Sequence, residues 1–587
     1  MSSNDRKLYF LLALATLVYV IARAVLVPFV HDEAATFNVY IPFGEFLPLH
    51  SHWDAGNHFL NTALAIVSYK LFGMEQWALR GWNVLAFVLY AWMVWRLGEQ
   101  VRDRLVRWSM WLGSLLCPFL LEFFSLFRGY GLEMAFFIWS VHALLCFARD
   151  GRGRHLAQVL VALCLANACI LSLLPYWGIV LALLALLIIR GPHTWLRKVQ
   201  QLTTWLLLGM APLALAGLLA MLMQRLGLLY YGSTAGFVEV TLATLCLFVL
   251  GTKSPVVLVV VIVLFTAVTA LALRILLRDR NWRSPLVLVV GLLWAEILAR
   301  VAMTAVLGVN FPEDRAALHL VPLFILAIAF GADAIGARVG MLRYAALVLL
   351  ALPLRTVITA NTDHTVLWPE HSPPHRFVDR LLALQAAQAR PLVIGCYGSL
   401  HYSLPFAVRL RGEHLPLPQT IGFPGGPNDV RIAQDAWLLR ALPGFHETDH
   451  DPATGLHLLE RNIPLKPVAG QVKAFAQDAS DAEFLELLRL DGVNGNEDLL
   501  VEVEGEISTQ GPATINLVVE VRDASDKAIH YDGVCVSAFS PQVDHLREVR
   551  RIPRLQDGQH AVVYLWNIRR NVLTLTNGSV SIRRIPI

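Results

Sequence analysis

Long apolar runs separated by short polar gaps fill the chain from Leu8 to about Ala360, and there the pattern changes character. Each run of roughly 17 to 25 apolar residues is long enough, as a helix, to cross about 30 Å of hydrocarbon. From Asn361 the runs shorten to strand length, and Asp, Glu, Gln, Asn and Pro become frequent, which predicts a part that folds in water. Phe377 to Ala389 reads as a helix and Pro391 to Ile394 as a strand. From Asp498 the period is two: Val501 and Val503 alternate with Glu502 and Glu504, and Ile515, Leu517, Val519 and Val521 with Asn516 and Glu520. Asn577-Gly578, between Leu573–Thr576 and Ser579–Ile582, reads as a hairpin turn. The pattern predicts a polytopic helical bundle over 1–360, a small soluble α/β segment over 361–497 and an antiparallel β-sandwich over 498–587.

Composition makes the bilayer part of the solvent. Of 587 residues 56% are hydrophobic and 16% charged, with mean hydropathy +0.55, more apolar surface than a water-soluble fold can hide. The net charge of +4 is small and dispersed. Without a basic stripe carrying interleaved aromatics, nucleic acid is not an expected partner. Cys117, Cys146, Cys164, Cys169 and Cys246 fall in apolar segments and read as small hydrophobes, leaving Cys396 and Cys535 as the two thiols of the soluble part. The run Leu8 to Val27, followed by Pro28-Phe29-Val30-His31 without a small-x-small pattern, reads as a retained anchor helix.

The basic residues set an orientation. Arg6 and Lys7, Arg96 to Arg107, Arg149 to Arg154, Arg190 to Lys198, Arg274 to Arg283, and Arg338 with Arg343 occupy gaps that the positive-inside rule places in the cytoplasm. That holds only if Asn57–Phe72 and Phe237–Leu250 lie along the outer surface instead of spanning, which leaves about eleven spans. The N-terminus is then on the cytoplasmic side and the soluble part outside. Three outward stretches share one side: His31 to Asn61, Phe127 to Glu133, and Asn310 to Arg315.

These stretches hold the candidate chemistry. Asp32 and Glu33 follow the first helix at headgroup depth, where a carboxylate can act as general base on a hydroxyl. In an extended segment adjacent side chains diverge, so Asp32 is the expected base and Glu33 orients the acceptor or a cation. In His50-Ser51-His52-Trp53-Asp54-Ala55-Gly56-Asn57-His58-Phe59-Leu60-Asn61-Thr62, the residues His52, Asp54, Asn57, His58 and Asn61 read as polar groups for a sugar or a diphosphate. A divalent metal held by His50, His52, Asp54 or His58 is the other reading, although the spacing matches no diagnostic ligand pattern. Arg128, in Phe127-Arg128-Gly129-Tyr130-Gly131-Leu132-Glu133, sits where the positive-inside bias disfavours it. It serves either a lipid phosphate, with Tyr130 beside it, or an ion pair with Glu122 or Glu133. Arg315, in Pro312-Glu313-Asp314-Arg315, is a second candidate for phosphate, and Glu313 or Asp314 can cap the following helix.

The order and common sidedness of these motifs resemble the bacterial GT-C glycosyltransferases that use polyprenyl-phosphate sugars, including relatives of aminoarabinose transferase and protein O-mannosyltransferase. The resemblance covers most of Leu8 to Ala360. It rests on Asp32-Glu33, on Asn57-His58-Phe59-Leu60-Asn61-Thr62, on Ala78-Leu79-Arg80, on Arg128-Gly129-Tyr130-Gly131-Leu132, and on Asp314-Arg315 before Val321-Pro322-Leu323. It departs at Asn57-His58-Phe59, where many relatives carry His-Pro-Pro. The resemblance implies a membrane glycosyltransferase with Asp32 as catalytic base and Arg128 and Arg315 as phosphate ligands. The implied donor is a polyprenyl-phosphate sugar, the acceptor a glycan, lipid or protein, and the surroundings membrane lipid. The sandwich is similar to a carbohydrate-binding module, with Tyr564 or Trp566 available to stack on sugar or, alternatively, packed as core. Two rival readings belong to other classes. One is a lipid-linked glycan transporter or flippase, suggested by Arg23, Glu296 and Arg300 inside spans; the other is a non-catalytic glycan-assembly protein.

Overall fold

The structure is a computed structural model and describes residues 3–47, 51–491, 497–537 and 543–585. The chain divides into two compact units, Met1–Leu26 with Phe46–Thr362, and Val27–Glu45 with Asp363–Ile587.

The first unit is helical. Among the described residues eight helices are long and apolar enough to cross a membrane: Ser3–Leu26, Gln76–Gly98, Tyr130–Asp150, Leu171–Ile189, Trp195–Arg225, Pro255–Arg278, Pro285–Leu307 and Gly340–Thr359. Phe59–Phe72, Gly153–Cys169, Phe237–Leu250 and Leu320–Gly336 are shorter apolar helices. The apolar stretch after Asp103 is built from two helices, Arg104–Leu115 and Pro118–Phe124, because Pro118 lacks the amide that would continue the first. Helix Tyr130–Asp150 has 83% of its apolar window buried against 11% for Pro255–Arg278, so the former runs through the centre of the unit and the latter along its outside. Leu215, Val256 and Leu277 are exposed, an arrangement that only hydrocarbon tolerates on this scale. The chain is a multi-pass membrane protein.

The charges inside the bundle pair with one another. Arg23 donates to both oxygens of Glu122 at 2.9 Å and to the Asn361 carbonyl at 2.7 Å. Glu296 Oε1 accepts from Arg300 Nε at 2.8 Å and lies 3.2 Å from His319 Nε2.

The second unit contains three sheets. Strands β1 (Ile394–Cys396), β2 (Val430–Gln434), β3 (Phe445–Asp451) and β4 (Leu456–Arg461) form a sheet of order β1-β2-β4-β3 in which only β1 and β2 are parallel. Helices His375–Ala386 and Leu400–Arg409 supply Phe377, Leu381, Leu400 and Leu404 to its core. The sandwich consists of β5 (Val468–Ser480), β6 (Phe484–Asp491), β7 (Asp498–Thr509), β8 (Ile515–Arg522), β9 (Ala528–Cys535), β10 (Val543–Ile552), β11 (His560–Asn567) and β12 (Leu573–Ile585), in sheets of order β10-β7-β12-β5 and β6-β11-β8-β9. Val501, Val503, Ile515, Leu517, Val519 and Val521 all enter its core, as their alternation requires.

Three expectations change here. The sandwich begins at Val468, not Asp498, because β5 and β6 pair into its two sheets; β5 is an edge strand, mostly exposed, and carries no clear alternation. Asn577-Gly578 is not a hairpin turn but an irregularity inside the single long strand β12, with Asn577 at φ 53° and the pairing to β7 shifting between Thr576 and Ser579. The stretch after the first helix is not extended: His31–Tyr40 is a helix, and it belongs to the second unit. Phe29 and Phe37 pack on Phe406, with ring centroids 4.3 and 5.3 Å apart. Glu45 pairs with Arg569 at 3.0 Å. No disulfide joins Cys396 to Cys535.

Candidate functional site

Asp32 and Glu33 occupy the first turn of helix His31–Tyr40, so their side chains diverge by helical geometry instead of strand alternation. Glu33 is fully buried and its Oε2 accepts the Val30 backbone N–H at 3.0 Å, the return half of a capping box. That bond gives Glu33 a structural task at the start of the helix. Asp32 is half-buried, and its backbone carbonyl accepts from Thr36 Oγ1 at 2.8 Å. Imidazoles and aromatic rings gather on the same turn: His31 lies 5.2 Å from the Tyr402 ring and 6.1 Å from His371, and Trp368 stacks on His371 at 6.2 Å. His401, against Tyr402, is pushed down to about 4 by burial and then by the charges of Arg550 and His31, so it is neutral at physiological pH.

The polar stretch after Phe46 belongs to the membrane unit, and most of its groups are used internally. Asp54 closes a turn on the Gly56 N–H at 2.5 Å. Asn57 accepts from Thr62 Oγ1 at 3.0 Å and donates to the Phe46 carbonyl at 3.0 Å. Asn61 accepts from Asn83 Nδ2 at 2.8 Å, while Asn83 Oδ1 takes the Leu132 N–H at 3.1 Å. His52 is exposed. His50 lies outside the described residues. Among the described residues no group with metal-ligand spacing includes His52, Asp54 or His58; the one such group is Asp435, His450 and His457.

His58 is the member of this stretch that reaches the other motifs. Its Nδ1 lies 3.0 Å from the Cys169 carbonyl, and its ring meets Tyr130 edge-on with centroids 5.1 Å apart. A Cβ on Gly129 would fall 2.8 Å from His58 Cβ, and one on Gly131 would fall 2.7 Å from the Phe123 carbonyl, so both glycines are needed for this close approach. Tyr130, at the start of the central helix, lies within the fields of Arg315, Arg128, Asp314 and Glu133 together. Arg128 and Arg315, far apart in sequence, thus both bear electrostatically on the buried Tyr130, and the N-terminus of an α-helix adds positive potential there.

Arg315 is held by a loop that carried no signal in the sequence. Its guanidinium lies 5.0 Å from the Tyr231 ring centroid, and the Tyr231 hydroxyl donates to Asp314 Oδ2 at 2.5 Å. The Asn310 amide bonds the carbonyls of Tyr230 and Gly232 at 3.1 Å, and Ser233 pairs with Phe311. Asp314 is therefore a partner of Tyr231, with its own N–H on Thr244 Oγ1 at 3.0 Å, and not a simple helix cap. Burial raises its carboxyl above the ordinary value, partly offset by Arg315 and Tyr231. Sequence reading also passed over Asn83, which clamps two motifs; Glu133, a candidate partner of Arg128, has its Oε2 buried without a hydrogen-bond partner among the described residues. A polar residue amid an apolar span was the available signal for Asn83.

On the sandwich, Tyr564 and Trp566 are not core. They alternate with the buried Val563 and Leu565 and stand half-exposed on the outer face of the β6-β11-β8-β9 sheet, where Phe484 stacks on Trp566 at 6.0 Å. The Tyr564 hydroxyl bonds Glu520 at 3.1 Å.

No protein-family model and no curated protein matches the chain. Among solved structures it is similar to ArnT of Cupriavidus metallidurans bound to undecaprenyl phosphate, with TM-score 0.45 and 12% identity over 78% of this chain and 98% of that one. It is also similar to the archaeal oligosaccharyltransferase AglB from Archaeoglobus fulgidus, in complex with an inhibitory peptide and a dolichol-phosphate, with TM-score 0.42 and 9% identity over 96% and 94%. A third is the arabinosyltransferase EmbB from Mycobacterium smegmatis, with TM-score 0.35 and 11% identity over 100% of this chain and 65% of that one. At these scores the likenesses decide no residue role in this chain.

Proposed function

We propose that the protein is a membrane glycosyltransferase that moves a sugar from a polyprenyl-phosphate donor to a hydroxyl of a glycan, lipid or protein on the periplasmic side of the membrane. The observation that carries this reading is the contact of His58 with Tyr130 at the start of the central helix, within the fields of Arg128 and Arg315. Two cations whose fields reach one buried residue at a helix N-terminus suit a lipid phosphate better than any apolar cargo. The transporter reading loses its main support, because Arg23, Glu296 and Arg300 are engaged in ion pairs within the bundle.

In this reading Asp32 accepts the proton of the acceptor hydroxyl, whose oxygen forms a bond to the anomeric carbon as the bond to the phosphate oxygen breaks. The configuration inverts, and polyprenyl phosphate leaves carrying the electron pair. Phosphate needs no strong acid to depart, so Asp32 needs no second carboxyl group of the kind a glycosidase uses. Glu33 fixes the turn that bears Asp32, and the rings of Trp368, His371 and Tyr402 offer faces on which an acceptor sugar can rest. The exposed faces of Phe484, Tyr564 and Trp566 suit a longer glycan.

Transfer of radiolabelled sugar from polyprenyl-phosphate donors, measured for wild type and Asp32→Asn at equal protein level, tests the reading. Lost transfer with donor binding retained is expected for Asp32→Asn, and weakened donor binding for Arg128→Ala and Arg315→Ala. Undiminished transfer by Asp32→Asn removes the base; no transfer by wild type from any donor removes the activity.

A further inference from the structure

The small sheet of the second unit carries a group of side chains that the glycosyltransferase reading does not use. His450 on β3 and His457 on β4 are directly paired across the two antiparallel strands, and their rings lie parallel, 1° apart in plane, with centroids 4.1 Å apart. His457 is buried and held between two carboxylates, with Nδ1 2.9 Å from Glu447 Oε2 and Nε2 2.8 Å from Asp435 Oδ1. Asp435 comes from the segment after β2 and is fixed there by its N–H to the Gly455 carbonyl at 3.0 Å. A Cβ on Gly455 would lie 2.8 Å from Asp435 Oδ2, so the glycine of the β3–β4 turn leaves the room that the carboxylate occupies.

We propose that Asp435, His450 and His457 form a binding site for one Zn2+ or a similar first-row divalent ion. One ligand atom from each of the three lies within 4.8 Å of the others. Ligand atoms on one zinc ion stand about 2.0–2.2 Å from it, so small side-chain rotations close the set. Glu447 completes the arrangement from behind: a carboxylate on Nδ1 fixes the tautomer and orientation of a metal-bound imidazole, which directs Nε2 of His457 toward the ion. Asp435, now against that nitrogen, becomes a fellow ligand when the ion takes the proton's place. The neighbouring acids do not compete, because Arg376 holds Asp449 at 2.7 Å and Asp451 at 2.9 Å. Two imidazoles and one carboxylate select zinc and its neighbours over magnesium or calcium. Three protein ligands leave a coordination position for water, and the ion ties β3 and β4 to the segment after β2.

The test uses the full chain purified in detergent, stripped with a chelator and titrated with Zn2+, with bound metal counted by mass spectrometry and the melting temperature followed. Wild type is expected to retain about one zinc per chain and to melt higher with it. His450→Ala and Asp435→Asn are expected to lose that equivalent, Glu447→Gln to bind about 10–100-fold more weakly, and His446→Ala, a histidine on the same strand outside the set, to bind as wild type does. Each stripped variant must melt as stripped wild type does; His450→Ala and Asp435→Asn are offered together so that a misfolded variant does not decide the matter alone. Equal zinc in wild type, His450→Ala and Asp435→Asn, or none in wild type, overturns the site.

Discussion

Asn83 donates its side-chain amide to the side-chain oxygen of Asn61 at 2.8 Å, and its own oxygen takes the Leu132 N–H at 3.1 Å. One residue in the second long helix thus ties the polar stretch around His58 to the first turn of the central helix, where Tyr130 sits. Both asparagines are buried. Asn83→Leu removes both bonds and leaves the Asn61 oxygen and the Leu132 amide without their partners, at about 1–3 kcal/mol each. The expected result is a lower melting temperature in detergent and weaker donor binding, with Asn61→Ala showing the smaller loss.

The Arg23–Glu122 pair gives a sharper outcome. Arg23→Met leaves a buried carboxylate without the guanidinium that grips both its oxygens, and breaking such a pair costs about 3–5 kcal/mol. Arg23→Met with Glu122→Leu replaces both charges by apolar groups and is expected to regain most of that stability. Thermal unfolding of the two single variants and the double variant measures the coupling.

Asp314 predicts a pH dependence. Burial holds its carboxyl above the ordinary range, so the folded state keeps this proton more tightly than the unfolded chain. Such a group favours the fold while protonated: its contribution is full below the ordinary carboxylate value and is lost as pH rises through the raised one. Asp314→Asn keeps the left-handed backbone at φ 40° accessible and removes the titration. The melting temperature of wild type relative to this variant is expected to fall as pH is raised across that interval, and a constant difference between the two would exclude Asp314 as the source.

Gly578 tests the irregularity in β12. An added Cβ would sit 2.2 Å from the Phe475 ring, so Gly578→Ala forces the ring or the strand to move. A cost of about 1–3 kcal/mol is expected from overpacking. Gly578→Ala with Phe475→Leu is expected to recover part of it, read by thermal unfolding of the full chain.

The length of the apolar runs settles the membrane bundle without any tertiary information, since a segment that must satisfy its backbone in hydrocarbon has little choice but helix. Alternation likewise settles β7 and β8, whose Val503 and Val519 turn inward because a strand has only two faces. Arg128 stood out as a charge in a place where membrane topology disfavours it, and Arg315 as a second cation in an outward stretch. Other features depended on partners distant in the chain. Asp32 and Glu33 read as an extended loop because the surface that makes His31–Tyr40 a buried helix comes from Phe406, hundreds of residues later. Asn577-Gly578 carries the local signal of a hairpin, yet β5 and β7 on either side hold β12 straight through it. Tyr231 and Asn83 look like ordinary loop and helix residues until Asp314 and Asn61 arrive beside them, and the cross-strand pair His450–His457 is set by the register of β3 on β4. Local pattern therefore determined the long membrane helices and the alternating strands β7 and β8. Packing between distant segments decided which polar groups meet, because a hydrogen bond or an ion pair is a property of two positions and neither one alone carries its record.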